Sequence, residues 1–227
     1  ENMEDITPVV KILLLAVKEL KSNETFKLLL KIVLAFGNAL NSKNKSKGNA
    51  YGFQIKSLAK MKQTKTSDNK SNLQNVIAEY CLGKYPSVLN LQSELSNVGL
   101  ATRTSYVDII KDTKKLEIGL KKVQNSVKRS AKSKLENDKY HELMSTFHES
   151  ASSMIVKVNK DLESLDTGLK KVAELYAESE KDFLKDPTEF FSEVNNFVKG
   201  FVMIMKKKKL EREKLAKKAA KNKKTKP

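Results

Sequence analysis

Apolar residues recur every three or four positions along most of this chain, the spacing of helices that bury one stripe. Thr7-Pro8 has the form of an N-cap followed by proline at the first helical position, which predicts a helix running to about Lys21. Ser22 or Asn23 opens the next, whose Leu28, Leu29, Ile32, Val33 and Phe36 lead into Gly37-Asn38-Ala39-Leu40-Asn41. Glycine and asparagine take positive φ readily, so this helix is expected to stop near Gly37 or slightly beyond, leaving a shaped loop over residues 42–52. A short helix from about Gln54 to Met61, a basic turn through Lys65, a helix from about Asn69 to Leu82 and one or two turns after Pro86 complete a compact front half.

Residues 97–205 differ in kind. Ile109, Leu116, Leu120, Val123 and Val127 make one stripe. A longer one steps through Leu143, Phe147, Ala151, Met154, Val158, Leu162, Leu165, Leu169, Val172, Tyr176 and Phe183, broken in character only at Ser179. At about 1.5 Å per residue, helices of roughly 30 and 45 residues would be about 45 and 65 Å long. The polar stretch 130–138 supplies the reversal that would make them an antiparallel coiled-coil hairpin. Gly119 and Gly168 lie inside, each costing about 1 kcal/mol against alanine. Asp186-Pro187 is expected to end the second rod helix, because proline drives the preceding residue out of the α region. The helix after it carries Phe190, Phe191, Val194, Phe197, Val198, Phe201 and Met205 on one broad face. Past Met205 the apolar support ends, and a basic helix, exposed and fraying into disorder, is expected. The fold class is therefore all-α and elongated: a compact helical front half, a long antiparallel coiled-coil hairpin and a closing helical post.

Charge sharpens this picture. The 227 residues carry a formal net charge of +17, and residues 43–70 contribute +7 while residues 206–227 contribute +10. The remainder is balanced, so the basic surface is local, as expected where each tract meets an acidic polymer such as an actin filament, a nucleic acid or anionic lipid. Cys81 is the single cysteine; beside Val76, Ile77 and Leu82 it is expected in a core, with no disulfide framework and a cytoplasmic location. The acidic start and the short apolar run from Ile12 to Val17 argue against a signal peptide. Lysines at 11, 18, 27 and 31 break every stretch that could span a bilayer.

Catalytic chemistry finds no anchor. His141 and His148 stand seven residues apart on one face, a rise of about 10 Å, too far for one metal ion. His141-Glu142 does not continue to the second histidine of a zincin helix, and no glycine-rich phosphate cradle occurs. The acidic residues lie among lysines on helix surfaces, where solvated ion pairs are the plain reading. No enzyme, metal or cofactor is expected.

The succession Gly37-Asn38 with Asn41, then Ala50-Tyr51-Gly52-Phe53, then Leu58 and Thr64-Lys65-Thr66, resembles the formin homology two domain, the actin-assembly module of formins. Ala39 and Leu40 stand where that family usually has an aromatic and a methionine. Tyr85-Pro86 with Leu89 and Ser93-Glu94-Leu95 resembles its block before the coiled-coil region, and Asp186-Pro187 with Phe190-Phe191 and Phe197 its closing post helix. The resemblance runs to about residue 206. It implies barbed-end binding, nucleation and processive elongation of unbranched actin filaments by a parent homodimer, met by profilin-actin only indirectly. It implies actin contact at Lys65, lasso docking on the post at Gly37, Asn38 and Asn41, and support from Gly52 and Phe53. Lys206, Lys207, Lys208 and Lys209 form a candidate accessory site.

On that resemblance residues 1–96 are part of the knob with the Gly-Asn loop region, 97–185 the coiled-coil region, 186–205 the post helix and 206–227 a basic tail. The chain would be a fragment lacking the lasso. Two other classes fit a basic helical rod. A membrane-binding scaffold would use the basic tail, and a nucleic-acid binder would use the lysine tracts; the latter is not expected, since only three arginines occur and aromatic interleaving is confined to Tyr51 and Phe53.

Overall fold

Asn23 makes the first corner. The computed structural model describes residues 3–44, 48–132 and 139–224, and in it Asn23 separates α1 (Met3–Ser22) from α2 (Glu24–Leu40). Its side-chain oxygen accepts the Phe26 N–H at 2.7 Å while its amide nitrogen donates to Glu94 at 2.9 Å. One residue thus caps a helix and fixes it to a segment 71 positions away. α1 begins upstream of the expected Thr7-Pro8 start; Pro8 sits within it, forfeiting a single hydrogen bond near the helix end. Glu19 does related work across the chain. Its carboxylate accepts the backbone N–H groups of Asn97 and Val98 at 3.1 and 3.0 Å and the Asn97 amide at 2.6 Å, satisfying the open amides of α5 (Ser96–Ala101).

Between α2 and α5 lie a 3-10 helix over Ile55–Lys62, α3 (Leu73–Lys84), a 3-10 turn over Pro86–Asn90 and α4 (Leu91–Glu94). Then come α6 (Tyr106–Ser130), α7 (Tyr140–Leu175), the short α8 (Glu180–Phe183) and α9 (Pro187–Lys224). Among the described residues the single β pairing is an isolated bridge between Lys65 and Asn72.

α6 and α7 are antiparallel. Tyr106 donates to Asp166 at 3.2 Å, Asn159 to Glu117 at 2.6 Å, and Ser126 meets Tyr140 at 2.6 Å, so residues advance along one helix as they recede along the other. Most of the expected reversal, 133–138, lies outside the described residues. The expected second rod helix is shorter than the stripe implied. α7 ends at Leu175 because Ala177 takes φ 53° and the Glu178 N–H turns back to the Ala173 carbonyl at 2.9 Å, a Schellman stop. The stop swings Tyr176 inward, where its hydroxyl reaches the Leu20 carbonyl at 2.9 Å. Its ring lies 6.2 Å from Phe26 and 5.3 Å from Phe190, joining the α1–α2 corner to the start of α9.

α1 lies along α7 closely enough that glycine is required at 168: a Cβ there would stand 2.8 Å from a Val17 methyl. α9 closes the core. Phe190, Phe191, Val194, Phe197, Val198, Phe201, Val202 and Met205 are all buried, against α3, α5 and the 3-10 helix of residues 55–62. Past Met205 the same helix continues without a break, and over residues 206–220 its side chains are exposed except at Lys208.

Candidate functional site

The region between α2 and α3 is built by side-chain to backbone clamps. α2 does not stop at Gly37. It runs to Leu40, and among the described residues no glycine has a positive φ. The expectation of a glycine-driven stop fails because Asn38 spends its amide elsewhere: it donates to the Ala50 carbonyl and accepts the Ala50 N–H, each at 2.9 Å. That pair staples the far side of the loop onto the last turn of α2. Gly48 has a reason that sequence pattern did not expose, since a Cβ would lie 2.9 Å from the Asn41 carbonyl and 3.0 Å from that of Asn44.

Two grooves flank the returning segment of residues 50–54. One, of about 590 Å³, runs between Lys27, Leu30 and Lys31 of α2, Tyr51 and the Tyr176 end of α7. The other, of about 250 Å³, is walled by Val33, Gly37, Asn38, Leu58 and Met61. Leu34, Gly52 and Phe53 line both. Tyr51 stands fully exposed at the lip, whereas Phe53 is half-buried between the grooves. Gly37 and Gly52 share a property: a Cβ on either would touch nothing within 4 Å. Neither is demanded by backbone conformation or by a neighbour. Asn41 caps α2, its N–H bonding the Gly37 carbonyl at 3.0 Å, and lines the smaller groove.

Lys65 lies on a turn of different character. The Thr66 hydroxyl donates to Asp68 at 2.5 Å and accepts the Ser71 N–H at 3.1 Å. Asp68 also accepts the Lys70 N–H at 3.1 Å. Backbone bonds from Thr66 to Ser71, and from Leu73 to Thr64, close the ladder around Lys65 and Asn72. The Thr66 hydroxyl and the Lys70 amide hold the Asp68 carboxyl below its ordinary range. Asn72 then caps α3 through the Asn75 N–H at 3.0 Å. Lys65 itself is exposed, an ammonium on a short, cross-braced platform.

The four consecutive lysines of α9 part company. Lys206, Lys207 and Lys209 are exposed, while Lys208 is half-buried and pairs with Glu79 of α3 at 2.9 Å. Arg212 reaches the other Glu79 oxygen. Lys208 first, and Arg212 after it, hold the Glu79 carboxyl below the usual carboxylate range. Among the described residues no cluster of His, Cys, Asp or Glu could hold a metal ion, and no helix is long and apolar enough to cross a membrane. His141 instead links the hairpin, its Nδ1 3.1 Å from the Ser130 hydroxyl.

The stapled loop, the paired groove and the braced lysine turn thus sit in an all-helical module beside an antiparallel hairpin. The model of the Formin Homology 2 Domain matches residues 1–202. The chain belongs to this family. It is 27% identical over 201 residues to Protein diaphanous of Drosophila melanogaster, which takes in 88% of the chain and 18% of that protein. It is 31% identical over 209 residues to Disheveled-associated activator of morphogenesis 1-A of Xenopus laevis, covering 89% of the chain and 18% of that protein. With human Protein diaphanous homolog 2 it shares 29% over 213 residues, 94% of the chain and 19% of the relative. The chain thus spans under a fifth of the length of these relatives.

Proposed function

We propose that the chain is the C-terminal part of an actin-assembly module, whose parent protein binds filament barbed ends as a homodimer, nucleates unbranched filaments and stays with the growing end, receiving profilin-actin only indirectly. It is a binding scaffold without catalysis. The observation that carries this is the Lys65 turn: an exposed lysine on a backbone braced by Thr66, Asp68, Ser71 and Asn72, in a chain whose first 202 residues match the family. A cation carried on a braced turn suits an acidic partner surface that must be met in one orientation and released repeatedly. Residues 1–96 then act as partial knob and Gly-Asn loop region, 97–185 as the coiled-coil region and 186–205 as the post helix. Lys206, Lys207 and Lys209 form an accessory basic site. No feature favours a membrane scaffold or a nucleic-acid interface over this reading.

The grooves receive the lasso of the other subunit. Gly37 and Gly52 line them with no internal need for glycine, so they keep space for an incoming chain. Gly37→Ala should raise the stability of the isolated chain by about 0.5–1 kcal/mol, as for any glycine inside a helix, while weakening dimerisation of the complete domain. A denaturation curve and analytical ultracentrifugation read the two effects. Loss of stability, or undiminished dimerisation, would refute the docking role.

The actin reading is tested by pyrene-actin elongation from preformed seeds with the parent's complete domain and its Lys65→Asp variant. Altered barbed-end growth that the substitution abolishes is expected. No effect of the intact domain on growth would overturn the reading.

A further inference from the structure

Outside the two basic tracts charge balances in sum but not in arrangement, and α6 shows the difference. One side of this helix meets α7: Glu117 accepts from Asn159, and Ser130 meets His141. That seam leaves the α7 residues Leu143, Phe147 and Met154, expected within it, exposed. The opposite side of α6 is open. At about 100° per residue, the exposed positions from 111 to 129 fall mainly on one arc roughly 140° wide, on which every residue except Ile118 and Asn125 is a lysine or arginine.

The acids of α6 do not neutralise this arc. Asp108 and Asp112 hold Lys111 and Lys115 at 3.4 and 2.8 Å near its foot, and Glu117 is turned to the seam. Lys114, Lys121, Lys122, Lys128 and Arg129 make no ion pair among the described residues. At about 1.5 Å per residue the row from Lys111 to Arg129 is about 27 Å long. A helix packed along its inner side holds that row straight, so its cations meet a flat surface together.

The composition of the face selects the occupant. Lysine outnumbers arginine on it, with Arg129 the single arginine, whereas protein interfaces favour arginine and are depleted of lysine. No aromatic residue lies on it to stack on bases. Its one apolar side chain, Ile118, is 56% exposed at mid-row, with Lys114, Lys115, Lys121 and Lys122 within a turn on either side. A hydrocarbon ringed by ammonium groups suits the headgroup layer of a bilayer, where the amines meet phosphate and carboxylate and the apolar group enters between them.

We propose that the outer face of α6 docks the hairpin on an anionic bilayer, Lys114, Lys121, Lys122, Lys128 and Arg129 meeting the headgroups and Ile118 entering between them. The contact belongs to the hairpin rather than to the basic tail of α9, and adds to the actin reading without depending on it.

The chain contains no tryptophan, so Ile118→Trp reports from the middle of the face alone. On vesicles of phosphatidylcholine with phosphatidylserine at low salt, its emission is expected to shift to the blue and to be quenched by brominated lipid; on phosphatidylcholine alone it should not shift. Sedimentation with the same vesicles compares two triple variants of equal charge, Lys114→Gln with Lys121→Gln and Lys122→Gln, and Lys206→Gln with Lys207→Gln and Lys209→Gln. All six lysines are exposed, so thermal melts should match the unaltered chain. The α6 triple should weaken binding about tenfold or more and the α9 triple about two- to threefold. An unshifted reporter in the presence of phosphatidylserine, or equal losses from the two triples, would overturn the proposal. So would an α6 triple that loses affinity for duplex DNA but not for the vesicles, which would make nucleic acid the occupant. Neither measurement involves actin, so failure here leaves the actin reading standing.

Discussion

The two basic tracts carry similar charge but are held in opposite ways. Around Lys65 the backbone is cross-braced over a few residues by Thr66, Asp68 and Ser71. Along α9 beyond Met205, Glu79 of α3 gathers Lys208 and Arg212. Net charge treats the tracts as equals. What differs is where the bracing lies: in the backbone beneath an exposed lysine in one tract, in an acid that pairs directly with two cations in the other.

The sharpest way to break the contrast is to loosen the turn without touching its charge. Thr66→Val removes the hydroxyl that joins Asp68 to Ser71, and should cost about 1–2 kcal/mol of stability by denaturant titration, as expected for a lost hydrogen-bonding centre. In the complete domain it should weaken barbed-end binding about tenfold with Lys65 still present; unchanged binding would mean that rigidity is irrelevant. Acid probes the same brace. Because Asp68 titrates below its ordinary 3.8, its contribution is complete above that pH and is lost as pH falls through the lowered value. Hydrogen exchange of the Lys70 amide should quicken only there.

A smaller effect is expected from reversing Lys206, Lys207 and Lys209 to glutamate together. Barbed-end affinity should change about two- to threefold at low salt and hardly at all at high salt, where exposed charges are screened. A salt-independent loss would place a specific contact in α9. The smallest change comes from Glu79→Gln, because exposed pairs contribute less than about 1 kcal/mol. Its signature is faster amide exchange near Lys208 and Arg212, with the Lys65 turn unaffected. Since Glu79 is held below its usual 4.5, lowering pH through that depressed value should reproduce the variant.

Much of this was legible in the amino-acid sequence because it rests on local period. The phenylalanine face of α9, the all-α class and the position of the Lys65 turn follow from residues a few places apart. What pattern could not reveal depends on distant partners. α2 outruns Gly37 because Asn38 is engaged by Ala50 across twelve positions, and Gly168 answers to Val17. α7 stops early at an alanine, Ala177, that takes the left-handed conformation without glycine's signal. The stripe through Leu143, Phe147 and Met154 misled for another reason: periodicity reports that a face is apolar, not which neighbour covers it. The roles of Thr66, Asp68 and Glu79 were missed because each was one polar residue among many.

The unbroken path of α9 has a mechanical consequence. From Phe191 in the centre of the core to Lys224 there is no hinge, so the basic segment beyond Met205 is a cantilever of about 28 Å rather than a tether. A flexible linker of equal length would spread its charges through a sphere of similar radius. The rod concentrates them along one line and transmits any pull on its far end to the aromatic core at its root.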